Sequence, residues 1–219
     1  MALKIPNQKL PAPPLTISIS LYYSNFVKTC SFKENGKRDR MIILVDQDGP
    51  LADFERGFLE KWRAQFPHEF FMPLHQRKNF YVRDDYPKDL RDKVESIYFA
   101  PNFYLNLPPV TGSIEALRTL FLLGHDVRIC TSPLSRYENC VLEKYQWIEK
   151  HLGRDFTKRI ILSKDKALIK GHFLIDDKPA IENAETAEWE HIIYDCPYNQ
   201  DVLYKKRLTW MNWKKVLGL

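Results

Sequence analysis

Nowhere in this 219-residue sequence is there an apolar run near the roughly 20 residues that a membrane-spanning helix requires, so no membrane insertion is expected. Cysteine is sparse as well. Cys30, Cys130, Cys140 and Cys196 are scattered, with no C-x-x-C pair and no histidine at zinc-ligand spacing, which argues against both a zinc site and a disulfide framework and fits a reducing compartment. Internal repeats and low-complexity tracts are absent. Net charge is missing from most of the chain: residues 1–40 carry seven basic and two acidic residues and so hold the whole formal charge of +5, while the other 26 basic and 26 acidic residues cancel. A body without a basic excess is not a platform for nucleic-acid polymers.

What is present is the composition of a globular protein, 44% hydrophobic and 28% charged, at a length that suits one domain with an inserted subdomain. Residues 1–40 read as an N-terminal extension, expected to be poorly ordered. They mix Pro6, Pro11, Pro13 and Pro14 with a β-prone run at 16–23. Few acidic residues lie there, as in organelle-targeting peptides, but there is no arginine before Arg38. A cytoplasmic location is expected, or a mitochondrial one if this segment is a targeting peptide.

From Met41 the pattern sharpens. Residues 41–45 form a continuous apolar run that ends in Asp46-Gln47-Asp48-Gly49, the signature of a buried parallel strand entering a polar loop. Similar runs at 127–130, 173–175 and 192–194 end in Thr131-Ser132, Asp176-Asp177 and Asp195. Helical spacing marks 113–123, opened by a Ser cap and closed by Gly124, and 136–152, closed by Gly153. Alternating strands and helices predict an α/β fold with a parallel sheet, whose ligands sit beyond the carboxyl ends of the strands. Residues 54–110 break the alternation. Phe54, Phe58, Trp62 and Phe66 stand at helical spacing, so this stretch reads as a small helical cap inserted after the first strand, with residues 41–53 and 111–219 as the core.

Asp46 and Asp48 leave a strand end two residues apart, and Asp176-Asp177 add two more acids. Buried carboxylates need an opposite charge, and Mg²⁺ is the usual one where phosphate is the substrate. With such a counter-ion Asp46 can attack phosphorus to form an aspartyl-phosphate, while Asp48 serves as acid and then base. Thr131 and Ser132 offer donors to phosphate oxygens, and Lys166 a fixed positive charge. Each motif alone has an ordinary explanation, as a turn, a helix cap or a solvated lysine. Their joint order does not.

In that order the four motifs resemble those of the haloacid dehalogenase superfamily. The stretches VDQDGPLADFE, ICTSPL, EKYQWIEKHLG, RIILSKDK, LIDDK and WEHIIYD are similar to the 5′(3′)-deoxyribonucleotidases, from about Met41 onward. The resemblance implies a haloacid-dehalogenase-like Rossmannoid core and Mg²⁺-dependent hydrolysis of nucleoside monophosphates, with deoxyribonucleotides preferred. It implies that Asp46 is nucleophile and metal ligand, that Asp48 binds the metal through its backbone carbonyl, that Asp177 is the direct acidic ligand and that Asp176 supports metal-bound waters. It further implies a base pocket of Phe54, Phe80, Tyr81, Val82 and Tyr98, a substrate contact from Lys178, and a homodimer. Pro50 departs from the family, which has an apolar, often β-branched residue there. The rival expectations are a phosphatase of another small phosphoester such as a sugar phosphate, whose pocket should be lined by polar donors, and a catalytically silent binding protein of the same fold.

Overall fold

The computed structural model describes residues 40–219; the extension, its β-prone run and its targeting potential lie outside the described residues, Arg40 excepted. Six parallel strands form one sheet in the order β3-β2-β1-β4-β5-β6: β1 (Ile42–Val45), β2 (Asp126–Thr131), β3 (Ile160–Leu162), β4 (Phe173–Asp176), β5 (Glu190–Tyr194) and β6 (Arg207–Leu208). Ile-Ile-Leu-Val of β1 is central, and its apolar side chains alternate between two buried faces. Ile43 and Val45 join Ile129 and Ile175 in the larger core, whereas Leu44 joins Cys130 and Leu174 in the smaller one. Four strands match the expected runs to within two residues at each end. The edge strands β3 and β6 were not expected. Leu162 is only half-buried and β6 has two residues, too few to show a period.

Among the described residues six α-helices follow in chain order: α1 (Phe54–Gln65), α2 (Arg91–Tyr98), α3 (Ser113–Leu122), α4 (Cys140–Leu152), the single turn α5 (Arg154–Thr157) and α6 (Trp213–Leu217). Asp53 caps α1 by accepting from Arg56 N at 3.0 Å. The expectation of a Ser cap on α3 is corrected: Gly112, at φ +82°, holds the cap position, and the buried Ser113 donates its hydroxyl to Leu51 O at 3.4 Å. The helix expected from residue 136 begins at Cys140, because residues 132–139 form the loop that leaves β2.

Between β1 and β2 the regular structure is helices and 3₁₀ turns joined by loops, apart from isolated bridges at Ala52. Its buried Phe58, Trp62, Tyr86 and Val94 belong to the same hydrophobic cluster as Val45, Ile129 and Ile175, so this segment is packed against one face of the sheet. Strand order reverses between β1 and β4, which opens a crevice at their carboxyl ends. Among the described residues no helix is long and apolar enough to cross a membrane.

Candidate active site

Strand register brings the motifs together. Val45 lies opposite Ile129 and Ile175, so the residues that follow each strand emerge at one level, and Asp46 N extends the ladder by donating to Ile175 O at 2.9 Å. One carboxylate oxygen from each of Asp46, Asp176 and Asp177 lies within 4.8 Å of the others. Lys166, buried on the 3₁₀ turn that follows β3, places Nζ 2.9 Å from Asp46 Oδ1 and 2.6 Å from Asp176 Oδ2. With β3 recognised, all four motifs trail a strand of this sheet.

Three carboxyls share this space with one lysine between them. Burial pushes the Asp46 carboxyl up to about 6 against the pull of Lys166. Burial, with Asp176 and Asp46 close by, holds Asp177 well above the ordinary carboxylate range. Burial acts on Asp176 too, but Lys166 and the Lys178 N–H keep it below its usual value, and the same acids keep Lys166 protonated against burial. Both Asp176 oxygens are engaged: Oδ2 receives Lys166 and Oδ1 receives Lys178 N at 2.9 Å. Asp177 is different. Its Oδ2 accepts from the Tyr198 hydroxyl, while Oδ1 is buried without a hydrogen-bond partner. An orphaned oxygen facing two further acids is the donor set of a hard divalent cation.

The backbone around Asp177 is fitted to it. A Cβ at Gly49 would lie 2.6 Å from Asp177 Cγ, and φ at Gly49 is +91°, so both space and conformation require glycine there. The neighbouring Pro50 is buried and gives its carbonyl to Trp210 Nε1 at 2.6 Å.

Asp48 turns away from the acid cluster toward a second buried lysine that sequence reasoning did not single out. Lys144 Nζ, on α4, lies 2.7 Å from Asp48 Oδ2, donates to Thr131 Oγ1 at 2.8 Å and to Ser132 O at 3.1 Å, and sits over the Tyr104 ring. Thr131 thus accepts from Lys144 and keeps its own proton free to donate. The Ser132 hydroxyl is committed to Ser163 O at 2.8 Å, which ties the β2 loop to the β3 loop and leaves its N–H as the remaining donor.

A pocket of about 370 Å³ opens above these groups, and every site residue expected from the sequence lines it. Acids and lysines form its floor. Phe54, Phe80, Tyr81, Val82, Tyr98 and Tyr104 form an aromatic and apolar wall, in which Phe54 meets Tyr98 and Phe103 at 6.1 and 5.4 Å between ring centroids. Lys178 lies between floor and wall, 5.8 Å from the Phe80 ring centroid. Lys144, Tyr104, Glu55 and Tyr198 were missed because no local motif marks them.

The family model for 5′ nucleotidase, deoxy (Pyrimidine), cytosolic type C protein matches residues 40–219. A Bordetella pertussis protein described as "Putative 5′(3′)-deoxyribonucleotidase" is 54% identical, with 81% of this chain and 96% of that protein covered. The human "5′(3′)-deoxyribonucleotidase, cytosolic type" is 45% identical, with 80% and 92% covered. Among solved structures, a haloacid-dehalogenase hydrolase of Bacillus subtilis bound to magnesium superposes with a TM-score of 0.55 at 12% identity, covering 83% of this chain and all of the other. That likeness shows the haloacid-dehalogenase fold.

Proposed function

Because the chain belongs to the family of 5′ nucleotidase, deoxy (pyrimidine), cytosolic type C proteins and is a phosphoric monoester hydrolase, we propose that it hydrolyses deoxyribonucleoside monophosphates to nucleoside and phosphate with Mg²⁺. The observation that carries this is a single pocket with an acidic, lysine-backed floor and an aromatic wall. A phosphate suits the first and a nucleobase the second, whereas a sugar phosphate would call for polar donors where Phe54, Phe80 and Tyr81 stand.

The donor set fits a divalent cation, which Asp46 and Asp177 would hold with Asp176 beside them, joined by the Asp48 carbonyl as the family resemblance implies; such an ion would offset negative charge on the phosphoryl oxygens and on the acids themselves. Asp46 is the nucleophile. Lys166 fixes its Oδ1, and its other oxygen bonds to phosphorus as the ester P–O bond breaks. Asp48, oriented by Lys144, gives the departing alkoxide its proton. In the second half it takes a proton from water, whose oxygen then displaces Asp46 from phosphorus and regenerates the free carboxylate. Thr131 Oγ1, the Ser132 N–H and Lys166 bind the phosphoryl oxygens in both halves. Residues 54–110 act as a cap that closes the wall over the base.

The relatives named as deoxyribonucleotidases and the magnesium-bound hydrolase of like fold support the substrate and the metal. The test is phosphate release across nucleoside monophosphates and sugar phosphates, with and without Mg²⁺. Turnover of dUMP should exceed that of UMP and of glucose 6-phosphate and should vanish with EDTA. Equal rates on UMP and dUMP would remove the deoxy preference. Faster turnover of sugar phosphates would overturn the nucleotidase proposal.

A further inference from the structure

Beyond the catalytic groups, the described residues contain a buried ion cluster that touches both halves of the pocket. Arg77 has a side chain only 2% exposed and lies in the connection between α1 and α2. Its Nε and Nη2 each stand 3.0 Å from an oxygen of Glu55, on the first turn of α1, and its Nη1 is 2.8 Å from Asp85 Oδ2. The same guanidinium donates to the carbonyls of Asn79 at 3.1 Å and Phe80 at 3.4 Å. Asp85 in turn accepts from the N–H of Asn79 and from its side-chain amide.

One planar cation therefore gathers the loop that carries Phe80, Tyr81 and Val82 and pins it to the helix that carries Phe54. Its flat face lies 5.3 Å from the centroid of Tyr198, the residue whose hydroxyl binds Asp177, and the Phe80 ring meets the same tyrosine at 6.0 Å. So the wall is registered against an aromatic ring that is itself anchored to the acidic floor. Burying a guanidinium and two carboxylates is costly unless they are paired: Nη1 and Nη2 carry the hydrogen bonds to Glu55, Asp85 and the two carbonyls, while Nε meets Glu55 Oε2 as an ion pair without a hydrogen bond, an arrangement that needs a planar fork. Tyr81, by contrast, is 59% exposed, with its ring 5.0 Å from that of Phe80.

We propose that Arg77 is the positioning residue for nucleobase recognition: it does not touch substrate, but its fork fixes the distance between the Phe80–Val82 wall and the phosphate-binding floor. The inference rests on the nucleotidase reading. A lysine at this position keeps the charge and loses the fork, so the loop should loosen while the floor stays intact.

The experiment compares wild type with Arg77→Lys on dUMP and on acetyl phosphate, which has no base, both with saturating Mg²⁺. In Arg77→Lys the KM for dUMP should rise about tenfold or more, the scale of a lost stacking contact, with kcat little changed and acetyl phosphate turnover unaltered. Asp85→Asn, a gentler release of the same loop, should shift KM in the same direction by less, and circular dichroism melts establish that each variant is folded. If both variants lower the two substrates in parallel, or neither shifts the dUMP KM, Arg77 has no part in base recognition and the inference is overturned alone. If wild type itself handles dUMP no better than acetyl phosphate, the nucleotidase reading fails and this inference with it.

Discussion

The floor and the wall of the pocket are held by different means. The floor's acids and Thr131 stand at the carboxyl ends of neighbouring strands, so backbone ladders place them before any side chain acts: Asp46 is hydrogen-bonded to Ile175 through its own N–H. The wall comes from a segment without strands, whose loops are fixed by side chains, chiefly the Arg77 cluster and stacked rings. A floor set by the sheet can carry the strain of three adjacent carboxyls. A wall set by side chains can change its contacts without disturbing the chemistry, which is how one reaction is fitted to different leaving groups.

The largest effect should come from the floor. Asp46→Asn removes the nucleophile and should lower kcat by at least about 10⁴-fold, with no phosphorylated protein seen by mass spectrometry after rapid quench; near-normal phosphate release would refute covalent catalysis. Next is Lys144→Met, which strips the partner from Asp48 and from Thr131. A fall of about 10²–10³-fold in kcat with dUMP and acetyl phosphate alike is expected, because both substrates use the floor. Phe80→Ala acts on the wall and should cost about 1–3 kcal/mol of nucleotide binding, read as KM, while acetyl phosphate is unaffected. If Phe80→Ala damaged both substrates equally, the separation of floor from wall would be lost.

The smallest effect separates the two regions by pH. Each holds an acid with a raised pKa, Asp46 at about 6 and Glu55 at about 7, both chiefly through burial. An acid whose folded pKa exceeds its unfolded value binds its proton more tightly in the folded state. Its contribution is full below the unfolded pKa, 3.8 for Asp46 and 4.5 for Glu55, and is lost as pH rises through the folded value. Metal-free protein should therefore lose thermal stability between about pH 4 and pH 7. Mg²⁺ should cancel the part due to the floor, while Glu55→Gln should cancel the part due to the wall in either condition. Differential scanning fluorimetry over that range, with and without Mg²⁺, separates the two; an unchanged slope in Glu55→Gln would show that the wall carboxyl does not titrate there.

Much of the fold was legible because buried parallel strands write themselves as apolar runs with polar ends, as 41–45 before Asp46 and 173–175 before Asp176 do. β3 and β6 were hidden because edge strands this short carry no period. The Ser113 cap was misread since serine at a helix start has two common uses, and here the hydroxyl turned to Leu51 O instead. In the site, the strand-end motifs were visible from residue type and the wall through the family resemblance, whereas Lys144, Tyr104, Glu55 and Tyr198, which answer them from elsewhere, were not.

The sequence by itself determined the strands, their polar ends and hence the kind of chemistry, since burial pattern and residue type act locally along the chain. Tertiary structure alone decided that Lys144 faces Asp48 from 96 positions away, that Asp177 keeps a free oxygen while Asp176 does not, and that Arg77, flanked by Gln76 and Lys78 like any surface cation, is buried between two acids. Electrostatic partnership depends on distance in space, and that distance exists only after the sheet and the helical segment have packed.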